Sequence, residues 1–281
     1  MSEPQHVQPA AGALVEDVLS AAKEAGALLF ERFPARSDSK LEVDYKGRRD
    51  LVTDADRSSE DLICSALRDL LPHAAILSEE APDPGIRDGN LWIVDPLDGT
   101  TNYAHGHPMY AVSVALVRDG SPILGVIHAP ELPARDGTQG SCWWAVRGQG
   151  AFQDGCEISV SNEFELSQSL LATGFSYGRE ELNRGALDVF REMLLSAREV
   201  RRAGSACLDL AHVASGVFAG MWESDLKPHD VAAGALIIEE ARGLVTDFAG
   251  GGDWLYGRTI IAGNDQIHRQ LLDCVQKNFR S

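Results

Sequence analysis

Two aspartates three residues apart, Asp95 and Asp98, stand at the end of an apolar run in Leu91-Trp92-Ile93-Val94-Asp95-Pro96-Leu97-Asp98-Gly99-Thr100-Thr101-Asn102. Such a segment reads as a strand that delivers two carboxylates into a turn. Pro96 interrupts regular strand pairing, and Gly99 lets backbone approach a ligand and frees N–H groups that can face phosphate oxygens. Hard divalent cations take oxygen ligands, which Asp95 and Asp98 offer, and a turn of this kind can also aim the Leu97 carbonyl inward. More acids follow other short apolar runs: Asp54 and Asp56 after Asp50–Thr53, Glu79 and Glu80 after Ala75–Leu77, and Asp230 within Lys227-Pro228-His229-Asp230. Taken singly, each is equally readable as a helix N-cap or a solvated turn. Taken together, they suggest strand ends gathered on one crevice, where α/β sheets place their sites. Two carboxylates about 4 Å apart repel by roughly 4 kcal/mol at an effective dielectric of about 20, so a cluster of four or five calls for bound cations.

The elements that must position these acids follow from hydrophobic spacing. Helical period runs from Ala11 to Phe33, ended by Pro34, and again from Arg57 to Leu71, ended by Pro72. Between them Leu41–Thr53 reads as extended chain around a Lys46-Gly47 turn. Strands are expected at Ala75–Leu77, Leu91–Val94, Ala111–Val117 and Ile123–Ala129, the last two joined by an Asp119-Gly120 turn, with a surface loop over Pro130–Gly140. Cys142–Phe152 is extended, with a turn at Gly148 and Gly150. Beyond Glu163, strands at Leu170–Thr173, Glu199–Arg201, Ala219–Trp222, Leu244–Asp247 and Thr259–Ala262 alternate with helices near 183–197, 205–215, 230–242 and 265–278. The expectation is a layered α/β (α+β) chain: one domain over 1–281, with intimate subdomains of about 1–162 and 163–281 and no repeat or linker.

With 281 residues and 44% apolar content, the chain can bury an ordinary globular core. The opening ten residues carry neither a basic leader nor an apolar span, so a cytoplasmic protein away from membranes is expected. Five scattered cysteines form no C-x-x-C pair and read as buried thiols. Forty-two acidic against 25 basic residues give a net charge of −17, which repels nucleic acid and anionic lipid. It would also repel an anionic substrate, unless bound cations receive it.

Four segments, Asp50-Leu-Val-Thr53 with Asp56, Ser78-Glu79-Glu80, Trp92–Asn102 and His229-Asp-Val-Ala-Ala-Gly234, resemble the signatures of the inositol monophosphatase family in order and spacing. Arg202-Ala-Gly-Ser-Ala206, Glu223 and Glu240-Ala-Arg-Gly243 extend the resemblance over nearly the whole chain. It implies the αβαβα sandwich shared with fructose-1,6-bisphosphatase, a homodimer, and two or three Mg²⁺ ions, with Mn²⁺ as a possible substitute. Residue by residue, it implies that Glu79, Asp95 and the Leu97 carbonyl hold one ion and Asp95, Asp98 and Asp230 a second. Asp56 matches an acid behind the site or at a weaker third ion, Thr100 the hydroxyl that orients the attacking water, and Glu79 the group that helps deprotonate it. Asp98, Gly99, Thr100 and Asp230 would face the substrate, with Gly204, Ser205, Ala206 and Glu223 along its polyol. The implied reaction is hydrolysis of a small polyol phosphate, myo-inositol 1-phosphate first and histidinol phosphate second. The chain departs from the family at His229, where Trp is common, at Lys227, where animal relatives carry His, at Arg242, where Gly is usual, and over Pro130–Trp144. His229 reads as a packing substitute, Lys227 as a solvated rim residue and Arg242 as a surface variation.

Two other classes compete. Gly174-Phe175-Ser176-Tyr177-Gly178 matches the G-x-S-x-G elbow of serine esterases, with His212, His229 or His268 and Asp209, Asp225 or Asp265 downstream. No oxyanion segment accompanies it, and 27 glycines make the match easy by chance. A non-catalytic binder on the same fold is the other alternative, although every matched metal ligand is present.

Overall fold

The structure, a computed structural model, describes residues 11–34, 43–45, 51–175 and 184–279. The expected Lys46-Gly47 turn and Ser176 lie outside these residues. Helix α1 (Val15–Arg32) is amphipathic and buries Val18, Ala22, Ala25 and Leu29 on one face. Strands β1 (Val43–Tyr45) and β2 (Leu51–Thr53) form a small antiparallel ladder that leads into helix α2 (Asp54–Leu70). That helix starts three residues earlier than its apolar period indicates, because Thr53 and Asp56 form a reciprocal cap over its first turn.

A seven-stranded sheet follows in spatial order: β3 (Ala75–Ser78), β4 (Asn90–Asp98), β5 (Ala111–Arg118), β6 (Ser121–Pro133), β7 (Gln139–Val146), β8 (Ala151–Gln153) and β9 (Cys156–Glu157). Only β3 and β4 pair in parallel. Pro96 does not end β4 at Val94: the strand reaches Asp98 through a register shift between Asp95 and Asp98, which absorbs the missing N–H. Likewise most of the loop expected over 130–140 is strand. Pro133 still pairs with Gln139 beyond a second register shift, leaving only residues 134–138 as the connection.

The second sheet runs β11 (Glu199–Arg201), β10 (Leu170–Thr173), β12 (Gly220–Ser224), β14 (Thr259–Gly263), β13 (Leu244–Thr246). Its partners are helices α4 (Arg184–Ser196), α5 (Ala206–Ala214), α6 (Pro228–Glu240) and α7 (Asp265–Asn278), and a one-turn helix α3 (Thr100–Ala104) follows β4. Alternation along the strands fixes the layers. Trp92, Val94, Val112, Val114 and Leu116 face α1 and α2, whereas Leu91, Ile93, Ala115 and Val117 face α5 and α6. The second sheet covers those helices with Met221, Ile260 and Ala262 and turns Leu171, Trp222 and Ile261 toward α4 and α7. The order of layers is therefore αβαβα. Helix α6 is apolar all round, with every residue from Val231 to Ile238 buried, as a helix between two sheets must be. No described helix is long and apolar enough to cross a membrane.

Candidate active site

Strand β3 runs parallel to β4, so their C-terminal ends lie side by side and the Glu79 N–H donates to the Val94 carbonyl at 3.2 Å. That bond sets Glu79 beside Asp95. In a regular strand Asp95 and Asp98 would face opposite sides, because side chains alternate with period two. The register shift cancels this alternation and turns both into one pocket. The Asp95 carboxylate accepts from Leu97 N–H at 3.1 Å, and the Pro96 carbonyl is pinned by Ser59 Oγ at 2.8 Å. Gly99 next adopts φ 88°, and a Cβ there would stand 2.8 Å from the Met109 carbonyl oxygen; only glycine accepts both conditions.

Asp56 and Asp230 arrive by a shared device. Each is the third residue of its helix and accepts the N–H of the residue three before it, Asp56 from Thr53 at 2.8 Å and Asp230 from Lys227 at 2.6 Å. Asp230 lines the pocket directly. Asp56 lies behind it and reaches it through Thr100, whose Oγ1 is 3.1 Å from Asp56 Oδ1 and 3.0 Å from the Leu97 carbonyl. Asp98 is held by the second half of the chain: Ser205 Oγ donates to its Oδ2 at 2.5 Å and Cys207 N–H at 2.8 Å. Asn102 ties the same halves together, donating to the carbonyls of Met109 at 2.7 Å and Ala203 at 2.9 Å.

Apart from Asp56, these acids share a pocket of about 240 Å³. Glu79, Asp95, Leu97, Asp98, Gly99, Thr100 and Asp230 occupy one end, with Gly204, Ser205, Ala206 and Glu223 along the other wall. Burial above all, then the charges of Glu79, Asp98 and Asp230, pushes the Asp95 carboxyl well above its usual range. Burial and Asp230 raise Asp98 to about 6 against its two hydrogen bonds, and burial raises Asp230 to about 7. Asp230 is partly open to the pocket, so water tempers its rise. Burial lifts Asp56 as well, opposed by the Thr53 and Thr100 hydrogen bonds. Oxygen donors that repel one another in a buried site fit a hard divalent cation, which would offset their charge.

Asp209 and Gly174, which the sequence offered only to an esterase, belong to this pocket. Asp209 is buried at the end of the pocket away from Asp95, its Oδ1 has no hydrogen-bond partner, and burial pushes its carboxyl well up. An acid within the apolar run Ala206–Ala214 was the available signal. Gly174 lies against Glu223, so closely that a Cβ would fall on the carboxylate. Burial, then Asp209 and Asp230, raises Glu223 in turn. Arg202 and Arg258 bring positive charge to the pocket, and Lys227 stands exposed at its rim. Asp54 turns away toward Arg32, 3.8 Å distant, and Glu80 is not among the lining residues. Of the esterase histidines, His212 packs edge-on against Trp143 and Phe218, and His268 bonds Thr246 Oγ1 at 2.9 Å. Neither lines the pocket; His229 does.

An αβαβα sandwich whose strand ends collect carboxylates around a small pocket is the architecture of a metal-dependent phosphatase family. The chain belongs to the inositol monophosphatase family, whose model matches residues 13–280, and it is a phosphatase. It is 39% identical over 269 residues to an inositol-1-monophosphatase of Mesorhizobium japonicum, covering 95% of this chain and 98% of that relative. It is also 39% identical over 272 residues to the Nus factor SuhB of Pseudomonas aeruginosa, covering 93% of this chain and 95% of that one. Among solved structures, the inositol monophosphatase of Anabaena (Nostoc) sp. PCC 7120 superimposes with a TM-score of 0.81 at 36% identity, covering 95% of this chain and 96% of that one.

The Gly174–Glu223 contact yields a prediction. In Gly174→Ala the new methyl group displaces the Glu223 carboxylate from the wall. Losing one hydrogen bond to a substrate hydroxyl, the role the family resemblance implies for Glu223, costs about 1.5 kcal/mol, so KM for a polyol phosphate should rise roughly tenfold with kcat changed much less. Michaelis curves for the pair check this; unchanged KM would mean that Glu223 does not touch substrate.

Proposed function

We propose that the protein hydrolyses the phosphomonoester of a small polyol, myo-inositol 1-phosphate foremost, with two or three Mg²⁺ ions held by Glu79, Asp95, the Leu97 carbonyl, Asp98 and Asp230. The observation that carries this reading is the continuity of the pocket, which joins the carboxylate cluster to the 204–206 segment and Glu223. Its size falls below the roughly 300 Å³ at which sites for drug-sized ligands begin, and suits one polyol ring and its phosphate.

Bound cations would draw the phosphate against the chain's negative charge, polarise it and make a water easier to deprotonate. The rest falls to the protein. Thr100 Oγ1 donates its proton to Asp56 or to the Leu97 carbonyl, which leaves an oxygen lone pair to accept from a water and orient it. Glu79, on the same pocket wall, takes the proton of that water as it attacks phosphorus. The Gly99 and Thr100 amides receive phosphate oxygens as the ester P–O bond breaks. Glu223, Ser205 and the backbone of 204–206 hold the polyol, which takes a proton as it departs.

A second reading rests on Asp209. Two acids at the polyol end, Asp209 and Glu223, suit an ammonium as well as hydroxyls, which is the chemistry of histidinol phosphate. Phosphate release from inositol 1-phosphate, histidinol phosphate, fructose 1,6-bisphosphate and adenosine 3′,5′-bisphosphate, each with Mg²⁺ and with excess chelator, distinguishes these. The expected result is the largest kcat/KM for inositol 1-phosphate, abolished by chelator. A preference for histidinol phosphate would transfer the site to the second reading, and Mg²⁺-independent release would overturn the proposed catalysis.

A further inference from the structure

His229 is the second residue of α6 and is only 6% exposed, and its ring lies beside the carboxylate cluster. A ring nitrogen of His229, a carboxylate oxygen of Glu79 and one of Asp95 all lie within 4.8 Å of one another. The Nε2 atom is also 3.8 Å from Asp230 Oδ1, beyond hydrogen-bonding range. The imidazole is thus set beside three carboxylates. Six ligand atoms around a cation with bonds of about 2.1 Å lie about 3.0 Å apart when adjacent and about 4.2 Å apart when opposite. The 4.8 Å limit on the spacing of Glu79, Asp95 and His229 exceeds this by about 0.6 Å at most, so a small side-chain adjustment lets one cation touch all three.

Resting on the metal-dependent reading above, we propose that His229 supplies a nitrogen ligand to the cation held between Glu79 and Asp95 and so biases this site from Mg²⁺ toward Mn²⁺. Mg²⁺ prefers oxygen donors and retained waters, whereas imidazole binds the later divalent ions more readily. The tryptophan common at this position offers no such lone pair. The consequence is a shift in metal preference with the oxygen ligands of the pocket unchanged. A bound Mn²⁺ would then feel a ¹⁴N nucleus at one bond.

The test uses Mn²⁺ alone, added to the metal-free full chain. Pulsed electron paramagnetic resonance should show ¹⁴N modulation from a directly bonded imidazole, replaced by the ¹⁵N pattern when the histidines are ¹⁵N-labelled, and this measurement needs no variant. In His229→Phe, calorimetry should find Mn²⁺ affinity lowered by about tenfold or more and Mg²⁺ affinity altered by less than about threefold. Mn²⁺ bound with oxygen-only coordination in the wild-type protein, or the same Mn²⁺ to Mg²⁺ affinity ratio in a folded His229→Phe, overturns the inference while leaving the phosphatase reading intact. Failure of any divalent ion to bind overturns both.

Discussion

Asp98→Asn is expected to reduce kcat/KM by about a thousandfold at saturating Mg²⁺, equivalent to about 4 kcal/mol of lost transition-state stabilisation, while the protein stays folded. The substitution is isosteric and changes one thing, a negative charge. Asp98 Oδ2 is already engaged by Ser205 Oγ and Cys207 N–H, and the amide oxygen of asparagine can accept both bonds. Packing and the link between the two halves of the chain are therefore kept. What goes is the anionic oxygen beside Asp95 and Asp230. Because those acids repel Asp98 in the metal-free protein, the variant should melt at the same temperature as the wild type or slightly higher without metal. Phosphate release and thermal melts of the two proteins check both halves of the prediction. Near-normal turnover would remove Asp98 from the catalytic centre.

Raising the pH from 5 to 8 should widen the gap in melting temperature between Mg²⁺-loaded and metal-free protein from near zero to about 5–10 °C. Burial first, and for Asp98 also the Asp230 charge, raises Asp98 to about 6 and Asp230 to about 7, both above the usual carboxylate value of about 3.9. Between pH 4 and 7 the folded chain therefore holds protons that the unfolded chain has released. The contribution of these groups is present below pH 4 and is lost as pH rises through 6 and 7. At pH 8 the cluster is ionised and repels itself, and a cation at a hundred times its dissociation constant stabilises the fold by about 2.7 kcal/mol. For a chain of this size each kcal/mol is worth about 2–4 °C. Acids with the opposite shift, such as Asp83 and Glu192, whose carboxyls Arg87 and Asn278 with Lys277 hold low, act on loaded and metal-free protein alike and cancel in the difference. A gap of constant size across this range would show that cation binding is not coupled to these carboxyls.

The layers and the first set of acids were legible because hydrophobic period and strand ends are local signals. Leu91–Asp98 announces both a buried strand and its carboxylates within a few residues, and the apolar stretch of α6 announces burial on every side. Features set by pairing between distant segments were not. Whether Asp95 and Asp98 share a face depends on how β4 registers against β5, and the strand at 130–133 depends on its pairing with β7. Asp209 and Gly174 suggested an esterase in sequence; their meaning comes from Glu223, which folding brings alongside. At Arg242 the cause of a departure became visible. Its φ is 69°, in the left-handed region glycine favours, so the family's usual glycine is explained by backbone and the arginine bears a strain of about 1 kcal/mol.

Helix α6 is covered by one sheet on each side, and the aspartate at its N-terminus enters the same pocket as acids delivered by the first sheet. The carboxylate cluster is thus a keystone, complete only when the first sheet and the helices α5 and α6 behind it are seated together. Damage remote from it, a frayed β14 or a displaced α5, would silence turnover by moving Asp230 or Ser205 away from Asp98. Phosphatase activity in this protein is accordingly a gauge of how the two halves of the chain are seated on each other.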